Sequence, residues 1–217
     1  MSARDDLRGV PVTVMGLGLF GGGVAVARWL CAAGARVTVT DLRDERVLAP
    51  ALRELTDLPL ELVLGRHREE DFSRAGWVVA NPAVAPTNSY LQVARGVGAR
   101  ITSEMGIFLE GVRSRVVAIT GTQGKSSTTS FTAQLLEQCG FRVHMGGNIG
   151  RSLLGALPQM RPEDVVVLEL SSYQLEALPD PPFADPAAST VEAVAIVNVL
   201  ADHLERHGTR AAYAAAK

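Results

Sequence analysis

Thr120 to Ser127 read Thr-Gly-Thr-Gln-Gly-Lys-Ser-Ser, directly after the apolar run 116–119 and directly before a helical pattern. This is the layout of a loop that cradles phosphates. Gly121 and Gly124 let backbone approach an anion without a Cβ in the way, and the amides that open the next helix point positive partial charge at it. Lys125 would reach the outer phosphates of a nucleoside triphosphate, with the Ser126 hydroxyl on Mg²⁺. Residues Gly121, Thr122, Gln123, Gly124, Lys125, Ser126 and Ser127 are therefore the candidate nucleotide contacts. Position 119 is Ile, so the strict G-x-x-x-x-G-K-[ST] pattern fails, and a glycine-rich turn with a solvated lysine is the alternative.

A second glycine loop lies upstream. Gly16, Gly18 and Gly21 spell G-x-G-x-x-G straight after a strand pattern, and Asp41 ends the next strand pattern twenty residues beyond Gly21. That is the dinucleotide fingerprint, which by itself points to an NAD-dependent oxidoreductase. Its physics is broader. A glycine-fronted helix start binds the diphosphate of any sugar nucleotide, and Asp41 accepts a hydrogen bond from a uracil imide or a ribose hydroxyl alike. Gly18, Leu19, Phe20, Asp41 and Arg43 are the candidate contacts, Arg43 as a partner for a base. Two anion sites in series point to a two-substrate enzyme.

The elements that must hold these loops alternate short apolar runs with amphipathic stretches, which predicts βαβ units and parallel sheets. The expected strands of a first series are Val12 to Met15, Arg36 to Thr40, Leu60 to Leu64, Trp77 to Ala80 and Arg100 to Thr102, with helices over Val24 to Ala33 and Val47 to Leu55. A second series gives Val116 to Ile119, Arg142 to His144, Val165 to Leu170 and Ala193 to Val199. The expectation is an α/β chain of two domains: a Rossmann-like parallel-sheet domain over residues 1–111, then an incomplete P-loop-type central domain over 112–217. Pro179 to Pro186 holds four prolines in eight positions, which suits an exposed loop and no helix.

Composition narrows the function classes. A net charge of −2 over 217 residues offers no basic field for nucleic acid, so no nucleic-acid partner is expected. No stretch approaches the roughly 20 apolar residues of a membrane span, and residues 1–10 lack a signal-peptide core. Cys31 and Cys139 lie far apart in apolar helical patterns without C-x-x-C spacing, and read as buried thiols in a reducing compartment. A cytoplasmic protein without membrane partners is expected, with a monomer as the default.

Four further segments make the reading specific: Gly-Asn-Ile-Gly at 147–150, Leu-Glu-Leu-Ser-Ser-Tyr-Gln-Leu-Glu at 168–176, Asn-Val-Leu-Ala-Asp-His-Leu-Glu-Arg-His at 198–207, and Tyr-Ala-Ala-Ala-Lys at 213–217. With the phosphate loop, and in this order, they resemble the Mur ligase family from about Val12 to Lys217. Within it the motifs look most like the member that adds D-glutamate to UDP-N-acetylmuramoyl-L-alanine in peptidoglycan synthesis.

The resemblance implies an ATP-dependent amide-forming ligase whose first domain binds the UDP-sugar and whose central domain binds ATP. ATP phosphorylates the L-alanyl carboxylate, and the D-glutamate amine attacks the acyl phosphate. Lys125, His203 and Lys217 take catalytic roles by resemblance. Ser126, Glu169, His203 and Lys217 hold the metal, two Mg²⁺ in all, Lys217 as a carbamate formed with CO₂. A lysine at its ordinary pKa of about 10.4 is neutral only about once in 2,500 molecules at pH 7, so carbamylation needs a depressed pKa or a trapping metal. Asn148, Ser172 and Gln174 join the substrate contacts.

This sequence departs from the family pattern at several positions. Phe20 stands where Ser or Thr is frequent, Ala83 where glycine is expected, and Gln123 and Ser127 where Asn and Thr are. The chain also stops within a helical pattern, whereas family members continue into a third domain that binds the incoming amino acid; on the expectation that material is missing, the chain alone should bind nucleotides without ligation. A non-catalytic nucleotide-binding module and an NAD-dependent oxidoreductase remain the alternatives.

Overall fold

The computed structural model describes residues 7–150, 152–178 and 191–217. The proline-rich segment 179–186 lies outside them. Contacts divide the chain into two units, Met1–Gly111 and Val112–Lys217. Each is α/β with an all-parallel sheet.

The first unit holds strands β1 (Pro11–Met15), β2 (Arg36–Asp41), β3 (Leu60–Leu64), β4 (Trp77–Ala80) and β5 (Arg100–Thr102) in the order β3-β2-β1-β4-β5. Successive strands run outward from β1 to β3 and then restart on the other side of β1. The switch point therefore falls between β1 and β4, where ligands of open parallel sheets bind at the carboxyl edge. Helix α1 (Gly22–Ala32) buries Val24, Val26, Ala27 and Leu30. It begins two residues before the predicted start because the left-handed Gly21 (φ 83°) is its N-cap. Helix α2 (Glu45–Arg53) also starts early: Asp44 caps it by accepting from Val47 N at 3.0 Å, with Glu45 in the first turn and Arg53 in the last to suit the helix dipole. Helices α3 (Glu69–Ser73), α4 (Ser89–Gly96) and α5 (Glu104–Gly111) complete the unit. Phe72, Val78, Leu91 and Ala94 form a core against Met15 and Ala80.

The second unit has β6 (Arg115–Thr120), β7 (Val143–Gly147), β8 (Val165–Glu169) and β9 (Val191–Ile196) in the order β7-β8-β6-β9. All five residues of β8 are buried, which explains its unbroken Val-Val-Val-Leu run: an inner parallel strand is covered on both faces. Helix α6 (Lys125–Gln138) sets Ala133 against Ile119, Val165 and Val167. Strand β7 runs on to Gly147 because Gly146 and Gly147 pair with Leu168 and Glu169. Strand β9 stops at Ile196, earlier than the sequence suggests, because Val197 and Asn198 turn onto the loop after β6. The short α7 (Ser172–Glu176), α8 (Leu204–His207) and α9 (Arg210–Ala215) follow β8 and β9.

The expectation for the two thiols needs correcting. Cys31 is half-buried, but Cys139 is exposed, because it lies at the C-cap of α6, beyond the last residue that helix buries. Among the described residues no helix is long and apolar enough to cross a membrane.

Candidate nucleotide sites

In the first unit the loop after β1 is a tight turn held from two sides. Gly16 N donates to Thr40 O at 2.7 Å, and Gly18 N donates to Asp41 Oδ2 at 3.2 Å. Gly16 (φ 88°) passes so close to Asn81 that a Cβ there would stand 2.9 Å from Asn81 Cβ. The dinucleotide fingerprint uses its third glycine for close helix packing, but here that role falls to Gly23, where a Cβ would overlap the Leu17 carbonyl. Gly21 is needed for its left-handed backbone alone, since nothing lies within 4 Å of the Cβ it lacks.

Asp41 is buried and accepts from Gly18 N and, through Oδ1, from Arg43 N at 2.9 Å. It therefore sets the shape of the loop, while each oxygen keeps a lone pair for a ligand. Arg43 Nη1 stands 3.8 Å from Asp41 Oδ2. Leu19 and Phe20 project from the tip, Phe20 with 95% of its surface exposed. Ala83 N is tied to Asn81 Oδ1 at 3.0 Å. The amides of Gly22, Gly23 and Val24 precede the first bond of α1, Ala25 N to Gly21 O, so they have no partner within the helix, and the Glu104 carboxylate stands at this helix start, where a Cβ at Gly22 would meet Oε2.

In the second unit β6 delivers Thr120 to the phosphate loop. Gly124 (φ 78°) caps α6 without a side-chain bond. The first helical bond is Thr128 N to Gly124 O at 2.9 Å, so the amides of Lys125, Ser126 and Ser127 have no partner within the helix. Ser126 and Ser127 are exposed there. Lys125 and Lys217 are the only two lysines in the chain, and both reach the same strip of backbone. Lys125 Nζ donates to Thr122 O at 2.8 Å; Lys217 Nζ donates to Gly121 O at 2.8 Å and Thr120 Oγ1 at 3.1 Å. Burial, reinforced by the charge of Lys125, lowers the Lys217 pKa to about 8. Neutral amine is then far more abundant at neutral pH than for a free lysine.

Three residues that the sequence reading left without a role tie this loop down. Tyr213, 1% exposed, places its hydroxyl 3.0 Å from Thr122 Oγ1. Leu200 N donates to the same Oγ1 at 2.9 Å. Asn198 bonds the backbone of Thr122 and Gln123. The glycine at 121 serves this contact: a Cβ there would stand 3.1 Å from Val197 Cβ and 3.2 Å from Asn198 N. Nothing in the local spacing signals these partners, which come from 75 residues and more downstream.

Glu169 ends β8 in register with Ile119 of β6, one strand from the phosphate loop. Its side chain is 2% exposed. Oε1 accepts from Asn148 Nδ2 at 2.8 Å, but Oε2 has no hydrogen-bond partner. An ionised oxygen buried without a partner is costly unless a cation or donor meets it. Asn148 is thus committed to Glu169 by its side chain and by its amide, which donates to Glu169 O at 2.8 Å.

Ser172 and Gln174, read as substrate contacts, are buried and do local work. Ser172 Oγ is 3.1 Å from His207 Nε2, and Gln174 closes a capping box with Ser171 at the start of α7. His203 is the only described non-glycine residue with positive φ, 49°. Such backbone strain persists where surroundings enforce it, often at functional sites. Its ring lies 3.4 Å from Glu205 Oε1, 3.6 Å from Asp202 Oδ2 and beside Tyr173. Among the described residues no three His, Cys, Asp or Glu side chains converge in a metal-binding group. Of the proposed metal set, only Glu169 and His203 are of those types, so the remaining ligands would be the Ser126 hydroxyl and a modified Lys217.

Comparisons with known proteins bear on the family of the chain. The model of the Mur ligase MurD-like N-terminal domain matches residues 11–103, and that of the Mur ligase middle domain matches residues 119–217. The UDP-N-acetylmuramoylalanine--D-glutamate ligase of Roseiflexus sp. (strain RS-1) is 44% identical over 98% of this chain and 44% of its own length. That of Geobacter metallireducens is 42% identical over 98% of this chain and 45% of its own length. The chain therefore spans less than half the length of these relatives. Among solved structures, UDP-N-acetylmuramate:L-alanyl-gamma-D-glutamyl-meso-diaminopimelate ligase from Neisseria meningitides is 19% identical with a TM-score of 0.59, over 96% of this chain and 66% of that one. That likeness is one of fold.

Proposed function

Because the chain belongs to the Mur ligase family, carrying a MurD-like N-terminal domain and a middle domain, we propose that it is the nucleotide-binding part of an ATP-dependent ligase that adds D-glutamate to UDP-N-acetylmuramoyl-L-alanine. Residues 1–111 bind the UDP-sugar and residues 112–217 bind ATP. The observation that carries the reading is the convergence of the chain's only two lysines on the glycine loop after β6, one strand from a buried carboxylate oxygen without a partner.

The chemistry asks for this. Phosphorylating the L-alanyl carboxylate and then letting an amine displace phosphate both build negative charge on phosphoryl and acyl oxygens. Prepaid positive charge and aimed amides stabilise such states without reorganisation. Lys125 supplies a fixed charge to the phosphates, and the amides of residues 125–127 line the anion. At the first loop, the amides of Gly22 to Val24 hold the diphosphate, while Asp41 accepts from uracil or ribose. Orphaned Glu169 Oε2 fits a cation, and Ser126, Glu169, His203 and carbamylated Lys217 would hold Mg²⁺, which supplies charge neutralisation between phosphates.

Titration calorimetry tests the reading. UDP-N-acetylmuramoyl-L-alanine is expected to bind more tightly than NAD, and Lys125→Ala to remove Mg-ATP binding while leaving the sugar nucleotide unaffected. Tighter binding of NAD would favour the oxidoreductase instead.

A further inference from the structure

Asn198 stands just past the end of β9 and makes more bonds to the phosphate loop than any other described side chain. Its Oδ1 accepts from Thr122 N at 3.2 Å and Gln123 N at 3.0 Å, and its Nδ2 donates to Gln123 O at 3.0 Å. Its own carbonyl accepts from Thr122 N at 3.0 Å. Both acceptor sites of the side-chain oxygen and one of its two N–H donors are thereby used on two consecutive loop residues. The donor at Nδ2 and the two amides at Oδ1 leave the amide only one orientation that satisfies all three bonds. The chain also makes room for it, since a Cβ at Gly121 (φ 154°) would press on Asn198 N at 3.2 Å and Asn198 O at 3.3 Å.

This geometry divides the loop in two. The amides of Thr122 and Gln123 face Asn198 and are spent there. Those of Lys125, Ser126 and Ser127 open α6 without helix partners. We propose that Asn198 is a positioning residue of the ATP site: it withdraws the Thr122 and Gln123 amides from the anion and fixes the loop so that only the amides at the start of α6, with Lys125, hold the phosphates. The inference rests on the reading of this loop as the ATP site.

It is tested by amide NMR and calorimetry on the whole chain with Mg-ATP, adenosine and UDP. On addition of Mg-ATP to the wild type, the amides of Lys125, Ser126 and Ser127 should shift strongly, while those of Thr122 and Gln123 keep their positions and their protection from exchange. Asn198→Ala should weaken Mg-ATP at least tenfold and leave adenosine and UDP within twofold, because the loss concerns phosphate contacts alone. A loss shared by adenosine would mark a merely structural role and overturn the proposal. So would an Asn198→Ala variant that binds Mg-ATP as well as or better than wild type, since the side chain would then be a plug that phosphate displaces. Should Asn198→Ala not fold, the wild-type shifts decide: movement of the Thr122 and Gln123 amides onto the anion contradicts the proposal. Failure of wild type to bind Mg-ATP at all would instead sink the reading of the loop itself.

Discussion

Gly147 lies flat against Glu169. A Cβ at position 147 would overlap the Glu169 carbonyl oxygen, and the backbone there is left-handed at φ 95°. The next residue, Asn148, then bonds both the carbonyl and the carboxylate of Glu169. The glycine thus lets the turn after β7 close on the end of β8 and fix the carboxylate beside the phosphate loop.

Gly147→Ala is expected to cost about 2–5 kcal/mol, the sum of overpacking and a left-handed alanine, read as a lower urea midpoint. Glu169→Gln keeps the bond from Asn148 but sets an amide N–H₂ where the unpartnered Oε2 stood, a donor that no cation accepts, so it should weaken the effect of Mg²⁺ on ATP affinity.

Lys217 should behave as an unusually available amine. With its pKa lowered to about 8, its acetylation by a limiting anhydride, followed by mass spectrometry, should rise through a midpoint near pH 8. The unfolded chain should show the ordinary midpoint of about 10.4. Between those values the unfolded state binds more protons at this site, so folding stability gains with pH from about 8 upward. A folded-state midpoint near 10 would remove the basis for this expectation.

Asp164 works at the other end of the second sheet. Its carboxyl is held below the usual aspartate range, first by His144, whose Nε2 stands 2.8 Å from Oδ2, and then by the Arg161 amide and the Arg142 charge. A depressed folded-state pKa gives stability that is complete above the unfolded value of about 3.9 and lost as pH falls through the folded one. The urea-midpoint difference between wild type and Asp164→Asn should therefore shrink as the pH falls below about 4.

The two thiols should separate kinetically. Burial raises the pKa of Cys31, and thiolate is the reactive form. Cys139 is exposed. A maleimide should label Cys139 first and Cys31 only slowly; equal rates would contradict the packing of α1.

The parallel strands were legible because an inner strand must be apolar on both faces, as β8 is, and because glycine loops punctuate the chain after β1 and β6. Helix starts were displaced by two residues at α1 and α2, where the caps Gly21 and Asp44 outweigh the apolar period. What local spacing could not carry is the non-local part of the site. The space left at Gly121 is filled by Asn198, and the hydroxyl of Thr122 is met by Tyr213, contacts that exist only once β9 has been laid beside β6. Ser172 and Gln174 sit in a family-like string, yet their side chains are used by His207 and by the start of α7. Motif identity gave no sign of that division of labour.

Amide chemical-shift mapping of the 23.0 kDa chain with each nucleotide in turn tests the central claim most directly. Two separate phosphate cradles predict that UDP-N-acetylmuramoyl-L-alanine perturbs the stretch Gly16 to Val24 with Asp41 and Arg43, and that Mg-ATP perturbs Lys125 to Ser127. Both nucleotides shifting the same loop, or neither shifting its own, would contradict it.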